Sequence, residues 1–324
     1  MRRREFIKIT VGLVSLLPPA AWAQRIWRVG MLETQSAEAN ATNFAAFRQS
    51  LTGLGYVQGR NLEIDYRSAN GEAERFSQLA AMLVAAKVDV IVTRGTPAVR
   101  AAQTASSTIP VVMAASGEPL TTGIVESLAR PGGNVTGLSA FTNELIPKRI
   151  ELLTETIPGI KRVAFLQDMA NPVSQSQWEE LKSAAHSARL EAVLLDIRNS
   201  NELAPAFESA SAQRVDALLV GNDTVTQANR RQIVELAVQH RLPAIYATRE
   251  FVEAGGLMVY AVDYADLYRR AAIYVDKIFR GAKPSELPVQ QPDKFEFVIN
   301  LKAAKALDVT VSPTLLARAD EVIE

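Results

Sequence analysis

Val88-Asp89-Val90-Ile91-Val92-Thr93-Arg94-Gly95-Thr96-Pro97 decides the fold. Its first half is a short apolar run rich in β-branched residues, the make-up of a strand covered on both faces. Its second half is a loop that opens a helix. Thr96 is a residue type that caps helix starts, and Pro97 suits a first turn. Strand, short loop and helix start together form the β/α unit of a parallel sheet.

The unit repeats in both directions. Apolar strand-like runs occupy residues 26–32 and 109–113, and helical periods occupy 43–54 and 74–86. In the last of these, Phe76, Leu79, Ala80, Leu83 and Val84 share one face. The rhythm restarts after about residue 140, with strands at 163–166, 190–195, 217–220, 244–246 and 257–260. Helices at 175–188, 203–213 and 228–240 alternate with them. The join, Gly132-Gly133-Asn134-Val135-Thr136-Gly137, is turn residues around a short strand, which suits a tight hinge better than a loose tether. A further helix at 267–280, stopped by Gly281 and Pro284, is followed by short pieces at 295–299 and 301–307. These are too small for a third domain, so they return to complete the first two. The expected fold is α/β, two Rossmann-like three-layer lobes joined by a three-strand hinge. Lobe 1 is expected at 25–137 plus 264–289, and lobe 2 at 138–263 plus 290–324.

The first 23 residues read as an export signal. Arg2-Arg3-Arg4 and Lys8 form a basic head, an apolar stretch follows, and Ala21-Trp22-Ala23 ends it in small-any-small order. The Arg3-Arg4-x-Phe6-Ile7-Lys8 order is similar to a twin-arginine signal. The chain has no cysteine. That excludes disulfides, thiol catalysis, cysteine-rich metal sites and a lipid anchor on an N-terminal cysteine. A free, periplasmic protein is expected. Basic and acidic residues balance at 35 each, and loss of Arg2, Arg3, Arg4, Lys8 and Glu5 with the signal leaves a net charge of −3. No basic patch points to nucleic acid.

Ligands of open parallel sheets bind beyond the carboxyl ends of the strands. The residues just past each strand therefore define the candidate site: Thr34, Thr96, Ser116 and Glu118 in the first half, and Asn171, Asn222, Asp223, Tyr246, Tyr260 and Asp263 in the second. Thr96 and Ser116 lie where a helix N-terminus would hold a carboxylate. Glu118, Asp223 and Asp263 suit a ligand ammonium group, though acids in loops are often only solvated. Tyr246 and Tyr260 can stack on a flat ligand or belong to the core. No catalytic residue, cofactor or metal ligand is expected. His186 and His240 fall on helices away from the strand ends, and neither a nucleophile elbow nor a phosphate-binding loop is present.

Several stretches carry a family resemblance: Arg130-Pro131-Gly132-Gly133-Asn134-Val135-Thr136-Gly137, Phe251 to Leu257, Gly281-Ala282-Lys283-Pro284, Val298 to Leu307 and the ending Leu315 to Glu324. On these the chain resembles the substrate-binding proteins of ABC importers with the type I periplasmic fold, in the subfamily that includes tryptophan-binding homologues. The resemblance implies a monomer that holds a small carboxylate or amino-acid-like ligand between its lobes. It also implies delivery of that ligand to a permease and ATPase complex in the inner membrane. Thr96 corresponds to the family's x-Thr-Pro loop, and Asp223 to an Asp in the second-lobe loop. Glu118 stands where such relatives carry Asp before Pro, and the loop at 33–37 does not match them. Two other readings fit the scaffold: an extracytoplasmic ligand sensor, or a hydrolase using Asp223 and Glu118.

Overall fold

The computed structural model describes residues 25–324, so the export signal expected at 1–23 lies outside the described residues. The first sheet carries β1 (Trp27–Glu33), β2 (Leu62–Ser68), β3 (Val90–Arg94), β4 (Val111–Ser116) and β5 (Val135–Ser139). Between them run α1 (Ala41–Gly53), α2 (Arg75–Ala85) and α3 (Thr96–Ala105). The strand order is β2-β1-β3-β4-β5 and every pair is parallel.

The second half follows with α4 (Ile146–Thr156), β6 (Arg162–Gln167), α5 (Ser174–Ser187), β7 (Glu191–Asp196), α6 (Leu203–Ala212) and β8 (Ala217–Val220). Next come α7 (Thr224–Ala228), α8 (Arg230–Gln239), β9 (Ala244–Tyr246), α9 (Glu250–Glu253), β10 (Met258–Val262) and α10 (Tyr264–Phe279). The end of the chain adds β11 (Phe295–Asn300), α11 (Leu301–Ala306), α12 (Pro313–Leu316) and β12 (Glu321–Ile323). Seven strands form the second sheet in the order β12-β11-β10-β9-β8-β6-β7. Its one antiparallel pair is β10 with β11.

Each lobe has three layers because successive strand residues point to opposite faces. In the first sheet Met31, Val90 and Val112 pack with Phe47 and Leu51 of α1 and with Tyr268 and Val275 of α10. Leu32, Ile91 and Val111 pack on the other face with Phe76 and Leu83 of α2 and Val99 of α3. In the second sheet Leu166 and Leu218 meet Phe207 of α6 and Ile233 of α8. Phe165 and Leu219 meet Leu153 of α4 and Leu181 of α5. These interiors supply the stability, since full burial of one Leu or Phe is worth about 1.5–3 kcal/mol.

The chain passes between the sheets three times: from β5 to α4, from β10 to α10, and from Gln290 to β11. Gln290 is tied to the first sheet, donating its N–H to the Gly137 carbonyl at 3.0 Å and accepting from the Ser139 N–H at 2.9 Å. Gly137 has a φ of 125°. A Cβ there would stand 2.3 Å from the Met113 carbonyl oxygen, so the close pairing of β4 and β5 at the hinge requires glycine.

Candidate functional site

Residues that follow β1, β3 and β4 meet residues that follow β6 and β8, and two cavities lie between them. The cavities share Ala140, Thr142, Gln177, Asn222 and Tyr264 as walls and so lie side by side as two parts of the interlobe space. The larger part encloses about 30 Å³ of free space and the smaller about 10 Å³, so the closed lobes leave little room between them.

Five of the ten candidate residues line the larger part: Thr34, Thr96, Asn171, Asn222 and Asp223. Ser116 is fully buried just behind them, its Oγ 3.2 Å from Thr96 Oγ1. Thr96 does not cap α3. The N-cap is Gly95 with no side-chain bond, and Thr96 Oγ1 donates to the Gly117 carbonyl at 3.0 Å. The first-turn amides of this ten-residue helix thus have no side-chain cap to satisfy them. Thr34 Oγ1 is buried with no hydrogen-bond partner.

The other four candidates lie elsewhere. Tyr246 is core, 1% exposed and stacked on Phe251 with ring centroids 4.7 Å apart. Tyr260 stacks on Phe295 and lines neither part of the space. Asp263 caps α10, accepting from the Asp266 N–H at 2.8 Å, and faces a separate groove beside Glu250 and Glu296. Glu118 has a left-handed φ of 42° and turns its carboxylate to Thr142 Oγ1 and the Asn143 N–H, each at 3.4 Å. Glu118 itself does not line the space that Asp223 lines, although its partner Thr142 does. Among the described residues no group of three His, Asp or Glu could hold a metal ion.

Sequence reasoning missed three side chains that dominate the site: Arg94, Arg149 and Gln177. Arg94 ends β3 and is 2% exposed. Its Nη1 bonds Glu250 Oε1 of the opposite lobe at 3.0 Å, its guanidinium lies 4.4 Å over the Tyr264 ring, and its Nη2 has no partner. Gln177 lines both parts of the space and its Oε1 is buried without a partner. Arg149 lines the smaller part, and its Nε donates to the Tyr260 carbonyl at 2.8 Å. A signal for Arg149 exists, since it falls in the same helical stripe as Leu145, Ile146, Ile150 and Leu153.

The charges are set by burial. It pushes the Glu33 carboxyl up to about 7, against the hydrogen bonds that Tyr268 donates and the nearby Arg94. It pushes Asp223 up to about 6, even though Oδ1 accepts from the Thr226 N–H at 2.7 Å and Oδ2 from the Asp168 N–H at 2.9 Å. Burial pulls Arg149 down to about 10, so it remains protonated at neutral pH. Burial opposes the charge of Glu250 most strongly, but Arg94, the Glu250 backbone N–H and Thr248 together outweigh it and hold that carboxyl below its ordinary value.

Further bonds tie the lobes together. Gln35 Nε2 donates to Gln227 Oε1 at 2.8 Å, Asn43 Nδ2 to Glu250 Oε1 at 3.1 Å, and Asn222 Nδ2 to Tyr264 Oη at 2.6 Å. The lobes are closed over the space.

The family described as "ABC transporter substrate binding protein" matches residues 28–323. A curated tyrosine-binding protein of Clostridioides difficile (strain R20291) is 29% identical over 263 residues, 81% of this chain and 75% of that one. A Streptococcus pneumonia ABC domain solved in complex with L-Trp is 28% identical, with a TM-score of 0.85 over 92% of this chain and 100% of the other. A conserved domain protein of Vibrio cholerae has the same identity and coverage and a TM-score of 0.86.

Proposed function

The chain belongs to the family of ABC transporter substrate-binding proteins, and from that premise we propose that it is the solute receptor of an ABC importer for an amino acid with a large apolar side chain. One observation carries the reading. Arg94 Nη2 and Thr34 Oγ1 are buried in the larger part of the interlobe space with no partner. Leaving such groups unmet costs about 1–3 kcal/mol each, a cost that a bound carboxylate removes. The uncapped start of α3, with Thr96 braced by Ser116, adds amides and a dipole that favour the same anion.

The opposite charge is close by. Asp223, Asn171 and Asn222 line the same volume and suit an ammonium group. A zwitterionic head therefore finds both signs in the larger part. The smaller part has Leu145, Ile146, Phe165, Leu219 and Val262 on its walls and suits the side chain. The tyrosine and L-Trp named for two relatives are ligands of this shape and charge. Gln177, between the parts, contributes an acceptor.

The working unit is a pair of lobes, 25–137 with 264–289 and 138–263 with 290–324. Leu138 and Ser139, the last residues of β5, belong to the first sheet. Closure follows because only the closed form lets both lobes touch the ligand. The protein acts as a monomer in the periplasm, after export by the segment at 1–23. It hands its ligand to a membrane permease and ATPase and performs no chemistry on it. No helix among the described residues is long and apolar enough to cross a membrane, in keeping with a carrier outside the bilayer. A thermal-shift screen of amino acids, aromatic acids and neutral sugars tests this, because a ligand of the folded state raises Tm. An amino acid should give the largest rise. A rise with a sugar alone refutes the charge matching.

A further inference from the structure

We propose, resting on that amino-acid reading, that Arg149 recognises the far end of the ligand's side chain and selects one that ends in an oxygen acceptor. Arg149 is 4% exposed and projects from the buried stripe of α4 into the smaller part of the interlobe space. Among the described residues no carboxylate lies within 4.0 Å of it, and its one side-chain hydrogen bond is from Nε to the Tyr260 carbonyl. The other cavity arginine, Arg94, has Glu250 at 3.0 Å. Arg149 therefore brings a buried positive charge with unused Nη donors to a wall that is otherwise largely Leu145, Ile146, Phe165, Leu219 and Val262. Such a charge is costly to bury unless something in the cavity completes it.

The ligand's carboxylate is not the natural partner. Arg94, Thr34 and the start of α3 already meet that need in the larger part, where Asp223 also supplies the negative charge for an ammonium group. No acid lines the smaller part, so a zwitterionic head placed there would leave its ammonium unpaired. What reaches Arg149 is then the distal end of the side chain. A guanidinium only donates, so it matches an oxygen and gains nothing from a bare ring edge or an N–H. Gln177 Oε1, buried and unpartnered on the same wall, supplies an acceptor. A donor and an acceptor together fit a hydroxyl, which accepts from the guanidinium and donates to the amide oxygen. A phenolic side chain is the class that also fills the apolar wall. Sites built to bond a ligand hydroxyl reject the analogue that lacks it, because their own polar groups are left unpaired.

Calorimetric titration of two ligand pairs tests this, L-tyrosine with L-phenylalanine and 4-hydroxyphenylacetate with phenylacetate, on wild type, Arg149→Met and Arg149→Lys. The wild type should favour the hydroxylated member by roughly tenfold or more. Arg149→Met should bring that ratio near one by weakening the hydroxylated member alone. Arg149→Lys keeps a charge on the buried stripe if the Met variant fails to fold, and it should retain part of the preference. Equal binding of both members by the wild type overturns the proposal. So does equal weakening of both by either variant, which would place Arg149 at the shared carboxylate or in the scaffold. If L-tryptophan binds the wild type but no member of either pair does, this proposal alone is overturned; if no amino acid binds, the amino-acid reading itself has failed and this proposal falls with it.

Discussion

Arg94 of the first lobe holds Glu250 of the second at 3.0 Å, with side chains only 2% and 12% exposed. Because the partners come from opposite lobes, the pair exists only while the lobes are closed. Asn43 Nδ2 bonds the same Glu250 oxygen at 3.1 Å, so two first-lobe side chains converge on one acceptor. The pair thus belongs to the closed state.

Removing one partner should open the protein. Glu250→Gln leaves the Arg94 charge buried without its counter-ion, a type of change that costs about 3–5 kcal/mol in buried pairs. Much of that cost falls on the closed state, because opening lets water reach Arg94. Ligand affinity should drop by about tenfold to a hundredfold, and small-angle scattering should show a larger radius of gyration without ligand. An unchanged radius and affinity would mean that the pair does not favour closure.

Glu33 should make the protein less stable as pH rises. Its carboxyl is fully buried and its pKa is raised from 4.5 to about 7. Between those values the folded state binds more protons than the unfolded one, so stability falls with increasing pH across that window and the loss is complete above it. Asp223, raised from 3.8 to about 6, and Glu296, raised from 4.5 to about 7, act in the same direction. The Glu33 contribution is on the order of 3 kcal/mol at most. Glu33→Gln keeps an acceptor for the Tyr268 hydroxyl, now at 2.7 Å, and removes the titration. Its Tm should decline less than the wild type's between pH 5 and 7.5. Identical slopes would place the pH dependence in other groups.

What the sequence made legible follows from local pattern. Val90, Ile91 and Val92 read as a doubly covered strand because both faces of β3 are packed. Phe76, Leu79, Ala80 and Leu83 read as one face of α2 because helical spacing lines them up, and all four are buried. Site composition was harder to read. Arg149 sits in the apolar stripe of α4, which marks it as buried, but the lobe-to-lobe space it lines is not described by any local pattern, and an arginine on a helix ordinarily reads as solvated. Tyr246 shows the converse. Its place at a strand end suggested a ligand, but the short β9 and the Phe251 ring beside it fold it into the core. Thr96 and Asp263 divide capping differently from expectation. Asp263 spends its carboxylate on α10, while Thr96 bonds Gly117 and leaves α3 uncapped.

Gly137→Ala should be strongly destabilising. The new Cβ would fall 2.3 Å from the Met113 carbonyl oxygen and 2.6 Å from its nitrogen, and backbone cannot yield as a side chain can. The φ of 125° adds a conformational penalty. A loss of about 3 kcal/mol or more is expected in urea unfolding, against a few tenths for Gly53→Ala, where nothing lies within 4 Å. Equal effects would mean that β5 shifts freely to make room.

The claim that ligand binds between the lobes is tested most directly by blocking that space. Gly117 lines the larger part, and a Cβ there would already stand 3.0 Å from Val173 Cγ1 and 3.2 Å from Thr142 Oγ1. Calorimetric titration of L-tyrosine and L-tryptophan into wild type and Gly117→Leu, each first checked for its ligand-free Tm, decides the matter. Expected are one saturable site on the wild type for at least one of the two amino acids, and its loss in a Gly117→Leu protein that still melts cooperatively. Binding of the same amino acid to Gly117→Leu at wild-type affinity would contradict it and place the ligand elsewhere on the molecule.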